Sequence, residues 1–173
     1  MAIFASIAAS LDGYIASTDG DLAWLNDSMR RDEDYGFAET MKRTGAYVMG
    51  AKTHRESAGM GGGKSGPPTF VLTHADPDTA PPGVTFASGD IVPVLEMAQS
   101  ATDKDVWIFG GGDVLTQAIA ADAVDELQIA IVPVVLGGGS RLFGDLDQAT
   151  RLHLTSCRCF ESGIVGLEYE RAI

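Results

Sequence analysis

Apolar residues along the chain fall into short runs, and the length of each run decides what it can be. Residues 2–10 (AIFASIAAS) are too short a run for a helix with its own caps, and Asp12-Gly13 follows as a turn signal, so a buried strand is predicted first. Residues 14–28 read as irregular. From Arg30 to Arg43, apolar groups at Tyr35, Phe37, Ala38 and Met41 recur at spacings near three and four. This predicts a helix with the acidic Asp32-Glu33-Asp34 in its first turn. Ala46-Tyr-Val-Met49 is a short strand ending at Gly50, Thr53 is placed to cap the helix after it, and 59–68 reads as a loop.

Thr69–Thr73 and Val84–Ala87 read as strands around a turn-rich Pro77–Gly83. A helix is predicted from Asp90 to Ala101, capped by Ser88 or Asp90, with Pro93 in its first turn. Asp105–Phe109 is a buried strand that runs into Gly110–Gly112 and a helix from Asp113 to Ala121. Glu126–Leu136 is a long apolar strand broken by Gly137-Gly-Gly139, and Leu152–Phe160 with Ile164–Arg171 forms a hairpin about Glu161-Ser-Gly163. Alternating strands and helices followed by a hairpin predict one α/β domain over residues 1–173 with a mixed, mainly parallel sheet.

Composition narrows the function classes. Twelve Lys and Arg against 24 Asp and Glu give a net charge of −12, which disfavours nucleic acid and anionic lipid as partners. No apolar run approaches the ~18–20 residues of a membrane span. The start of the chain lacks a basic n-region and a small-residue cleavage site, so a cytoplasmic protein is expected. Cys157 and Cys159 share a strand face where a mutual disulfide is geometrically poor, and both read as free thiols. An anionic ligand would have to be held by local devices such as backbone N–H groups at helix starts.

The 21 glycines are where such devices are expected. Gly110-Gly111-Gly112, between a buried strand and a helix, lets backbone N–H groups approach a phosphate, although close strand–helix packing would demand the same residues. It is not the dinucleotide fingerprint, which would need glycine where Leu115 stands. Met49-Gly50-Ala51-Lys52-Thr53 is a second strand-to-helix junction, with Lys52 and, after the next strand, His74 as cations at the same sheet edge. Gly63-Lys64-Ser65 is not a P-loop, because Ala58 replaces the first glycine and Gly66-Pro67-Pro68 forbids the helix, so Lys64 reads as a solvated loop tip. His54, His74 and His153 show no zinc-ligand spacing, no metal is expected, and no nucleophile elbow is present.

Taken in order, Ala9-Ser10-Leu11-Asp12-Gly13-Tyr14-Ile15-Ala16, Met49–Thr53, Ile108–Asp113 and Val132–Gly137 resemble the dihydrofolate-reductase-like superfamily. Within it the chain is most similar to the reductase domain of the bifunctional riboflavin-biosynthesis deaminase/reductase and its stand-alone relatives. The resemblance implies a three-layer αβα domain with a mixed sheet of about eight strands, binding NADPH along the carboxyl ends of the central strands. It implies that the backbone at Ala8 and Ile15 holds the nicotinamide carboxamide, that Gly50, Lys52 and Thr53 cover the pyrophosphate, and that Phe109, Gly110, Gly111, Gly112, Asp113, Val114 and Leu115 cradle its other side. Thr73 and His74 match the position that contacts the 2′-phosphate. Counting back fifteen positions from Met49 reaches Asp34, which matches the pterin-contacting acid of dihydrofolate reductases. The departures are Ala51 in place of a frequent arginine, Ser6 in place of a lysine, and Phe109 in place of a glutamate that serves a phosphoribosyl substrate.

The expected activity is NADPH-dependent hydride transfer to a C=N or C=O carbon of a small pterin-like or amino-pyrimidine/ribosyl substrate. Asp34, if buried, or a water would supply the proton, and Trp24, Tyr35 and Phe37 would form the substrate wall. The alternatives are dihydrofolate reductase activity proper and a non-catalytic nucleotide-binding module. A homodimer is expected, with residues 132–142 as its interface.

Overall fold

The computed structural model describes residues 1–57, 66–74 and 80–172, so most of the expected 59–68 loop, with Lys64, and part of the Pro77–Gly83 turn lie outside the described residues. In chain order the elements are β1 (Ile3–Ser10), β2 (Tyr14–Ala16), α1 (Ala23–Ser28), α2 (Phe37–Arg43), β3 (Thr44–Gly50), α3 (Ala51–Glu56), β4 (Thr69–Leu72), β5 (Val84–Ala87), α4 (Ile91–Ser100), β6 (Asp105–Gly110), α5 (Gly112–Ala120), β7 (Glu126–Val132), β8 (Ser140–Arg141), β9 (Leu152–Cys159) and β10 (Val165–Arg171).

Eight strands form one sheet in the order β5-β4-β3-β6-β1-β7-β10-β9. The pairs from β5 to β7 are parallel, and β10 returns antiparallel between β7 and β9. The sheet is therefore mixed and mainly parallel, closing on the predicted hairpin, and the architecture is the expected α/β one. Strand alternation assigns its two faces. Ile3, Ala5 and Ala9 join Val48, Ile108, Leu127 and Ile129 in the core beneath α4 and α5. Phe4, Tyr47, Met49, Val71 and Trp107 form a smaller core on the other face. There Phe37 of α2 meets Trp107 edge-on at 6.1 Å, and His54 of α3 meets Phe86 at 5.6 Å. Arg43 fixes the end of α2: its guanidinium lies 3.9 Å over the Phe4 ring, 2.7 Å from Glu126 and 3.1 Å from Asp105.

Several expectations shift. The helix predicted from Arg30 begins only at Phe37, because Gly36 adopts φ 83°, a left-handed conformation that no helix continues through. Residues 14–28 are less irregular than expected and contain β2 and α1. β7 stops at Val132 instead of Leu136, since Pro133 has no N–H for the ladder. The glycines that follow allow a close approach: a Cβ at Gly139 would overlap the Ala16 carbonyl oxygen, and that proximity lets β8 pair with β2. Residues 132–142, expected as an interface, include both internally bonded and exposed positions. Leu136 and Gly137 donate to Asp12 and Leu142 donates to Gly13 O, although Val135 is 68% exposed.

Candidate active site

Three segments distant in sequence meet at the carboxyl ends of β1, β3 and β6. β3 ends at Gly50 and leads directly into α3, while β6 ends at Gly110 and leads through Gly111 into α5. The Gly110–Gly111 peptide bond is cis. A Cβ on Gly111 would lie 3.3 Å from Thr53 Oγ1 and 3.8 Å from Ile15 Cδ1, and one on Gly50 would lie 3.3 Å from Val114 Cγ2 and 4.0 Å from Gly111 N. Thr53 therefore does not cap α3, whose N-cap is Gly50, and instead stands beside the glycine turn. Gly112 is fixed from behind, because a Cβ there would overlap the carbonyl oxygen of Arg141.

The first-turn amides of α5 at Gly112, Asp113 and Val114 precede the first intrahelical bond and point out of the helix start. Leu115 is different. Its N–H donates to Gly111 O at 3.1 Å and its side chain is buried, so it cannot contribute to a cradle as expected. The Asp113 carboxylate accepts from Gln117 at 2.9 Å. Lys52 is exposed and lies 3.9 Å from Glu56, and Thr73 and exposed His74 follow β4 on the same side of the sheet. A diphosphate flanked by amides and a hydroxyl fits this junction, since any side chain on Gly111 would fill the space.

The turn beside Ile15 is held by Asp12. Ser10, fully buried, donates to Asp12 at 2.7 Å and accepts the Tyr14 N–H at 2.9 Å. Asp12 also receives Leu136 N at 3.0 Å and Gly137 N at 2.7 Å. These donors, the Ser10 hydroxyl first, hold its pKa down at about 2.

Next to this junction, on the face of Phe4 and Trp107, the registers set out rows of side chains. Ser6, Gln128, Glu168 and Ser156 form one row, and Ala8, Ala130, Gly166 and Arg158 form the next. The segment preceding α2 borders this face through Glu33, which receives the Glu161 and Ser162 amides at 2.5 and 3.0 Å and the Tyr35 hydroxyl at 2.8 Å. Burial pushes the Glu33 pKa up, but its hydrogen bonds to Ser162, Tyr35 and the Glu161 amide outweigh burial and leave it lowered. Tyr35 packs on Phe160 at 4.8 Å. Trp24 is half-buried and donates to Asp21 O, while Phe37 is 58% exposed. Of the three expected wall residues, Tyr35 is the one seated against the hairpin.

Asp34 departs furthest from expectation. It lies ahead of α2, exposed to solvent, and accepts only the Gly36 N–H at 2.9 Å among the described residues. The carboxylate locked into the border of the cleft is its neighbour Glu33, and spacing alone could not separate the two. Gln128 and Ala130 were also missed: alternation in β7 gives their face, but only the crossover order of the sheet puts them beside Ser6 and Ala8.

A family model described as RibD C-terminal domain matches residues 1–166. The chain belongs to the RibD C-terminal domain family. A whole-chain relative, YwjB of Bacillus subtilis (strain 168), is 30% identical over 174 residues, covering 96% of this chain and 95% of that one. A solved structure titled "Putative riboflavin biosynthesis protein" from Shewanella sp. PV-4 superposes with a TM-score of 0.88 at 28% identity, over 100% of both chains. Dihydrofolate reductase from Enterococcus faecalis, complexed with NADP(H), shares the fold at a TM-score of 0.66 and 22% identity, over 99% of this chain and 97% of that one. The family match and the superpositions agree on a RibD C-terminal domain with a dihydrofolate-reductase-like fold.

Proposed function

We propose that the protein is an NADPH-dependent reductase acting on a C=N or C=O carbon of a small pterin-like or amino-pyrimidine/ribosyl substrate. The approach of Gly111 to Thr53 and Ile15 carries this reading, because it joins both glycine junctions to the turn after β1 in one cradle. When bound, the cofactor supplies hydride from its nicotinamide C4. The backbone at Ala8 and Ile15 orients the carboxamide, the amides at the start of α5 and the Thr53 hydroxyl hold the diphosphate, and Thr73 and His74 meet the 2′-phosphate. Ala8 and Ala130 leave room for a ring over the sheet face, and Tyr35 with Phe160 closes the far side against water.

The exposure of Asp34 leaves proton delivery to water entering the cleft, and it argues against dihydrofolate reductase activity proper. The same exposure of Asp34 favours, as a second reading, a nucleotide-binding module without turnover. Thermal unfolding with NADPH, with NADH and without ligand tests the cofactor. A ligand at about 100 times its Kd stabilises by about 2.7 kcal/mol, or roughly 5–10 °C for a domain of this size. A shift with NADPH that disappears in Gly111→Asp, whose carboxylate would occupy the cradle, is the expected result. An equal shift in that variant would overturn the site. NADPH binding without oxidation across imine, keto-sugar and dihydropterin substrates would favour the second reading.

A further inference from the structure

The row Ser6, Gln128 and Glu168 lies beside the cofactor junction, yet among the described residues none of these side chains makes a hydrogen bond within the protein. Ser6 and Gln128 are half-buried, and their polar groups, without an internal partner, remain open to a ligand. Together the row offers a hydroxyl, an amide with one acceptor and two donors, and a carboxylate. Neighbouring strands set these groups about 5 Å apart, which suits the edge of a ring lactam.

The charges around the row select against an anion. Arg43 is held between Glu126 and Asp105, and Arg30 lies 2.8 Å from Asp32 and 3.2 Å from Glu161. Arg158 is on the same face, its strand two places from that of Gln128, about 10 Å in backbone spacing, and it leans over the Phe160 ring at 5.5 Å. Glu168 stands one strand from Gln128. A phosphate beside Gln128 would meet the Glu168 carboxylate one strand away before it met Arg158 two strands away, a costly arrangement in a half-desolvated site.

We propose that the cleft takes an uncharged lactam ring without a phosphate and that Gln128 determines this specificity by pairing with the ring's amide edge. The proposal rests on the reductase reading for the position of the cleft. The test is calorimetric titration of the protein, alone and with NADPH, using a ribosylaminouracil and its 5′-phosphate as matched probes. The unphosphorylated probe is expected to bind at least about tenfold more tightly. Gln128→Leu should weaken that probe about tenfold while leaving the NADPH-induced thermal shift intact. Gln128→Lys, which adds a cation to the row, should raise affinity for the phosphate form. Equal or tighter binding of the phosphate by the natural protein, binding of neither probe, or indifference of both probes to the Gln128 variants would overturn the proposal. Loss of the NADPH shift alone would instead count against the reductase reading, because the comparison of the probes is also made on the protein without cofactor.

Discussion

At the scale of single residues, Asp12 links two parts of the chain that no local pattern connects. Its oxygens take the Ser10 hydroxyl and the amides of Leu136 and Gly137, so the turn leading to Ile15 and the loop after β7 share one anchor. These bonds favour the ionised form and lower its pKa from 3.8 to about 2. A carboxyl depressed in the folded state stabilises fully above its unfolded pKa and loses that contribution as the pH falls through the folded one. The window is therefore about pH 4 down to 2. Thermal melts of Asp12→Asn should show a lower Tm at neutral pH and a shallower decline across that window than the natural protein. Parallel Tm curves for the two proteins would remove Asp12 as the anchor.

At the scale of elements, the segment between α1 and α2 is held less by its own structure than by Glu33, which binds the amides at the tip of the β9–β10 hairpin. Arg30 reinforces the tie through Glu161. Glu33→Gln keeps the shape but gives up the charge-assisted bonds, so amide exchange should quicken over residues 29–36 and 161–163 and stay unchanged in β6 and α5. Unchanged exchange in both segments would show that the tie does not hold them. The same region marks the limit of what the sequence discloses. Period and turn chemistry revealed the core strands, α4, α5, both glycine junctions and the hairpin, because each is decided by neighbours within about ten residues. The start of α2, the two-residue β8 and the choice of Glu33 over Asp34 depend on contacts more than 100 residues apart or on a single glycine dihedral. Local periodicity carries no record of these.

At the scale of the whole molecule, net charge and proposed ligand oppose each other. A chain of net charge −12 repels NADPH at long range, while its attraction comes from short-range devices, chiefly amide dipoles at a helix start and the hydroxyl and imidazole groups beside them, which act within a few ångströms. Nearby positive charge is partly offset: Lys52 lies against Glu56 and Asp113 sits in the first turn of α5, which leaves exposed Arg55 on α3 and Arg141 on β8 as the flanking cations. Salt should therefore act in the direction opposite to that of a basic nucleotide site. Raising ionic strength from about 0.01 to 0.15 M shortens the screening length from about 30 to about 8 Å, which removes the long-range repulsion and spares the short-range contacts. Stopped-flow fluorescence should show the NADPH association rate constant rising over that range and then levelling, with little change in the dissociation rate constant. A steady fall in the association rate constant would mean that a local positive field outweighs the charge of the molecule, and the diphosphate would then have to be held by side-chain cations more than by the amides at the glycine junction.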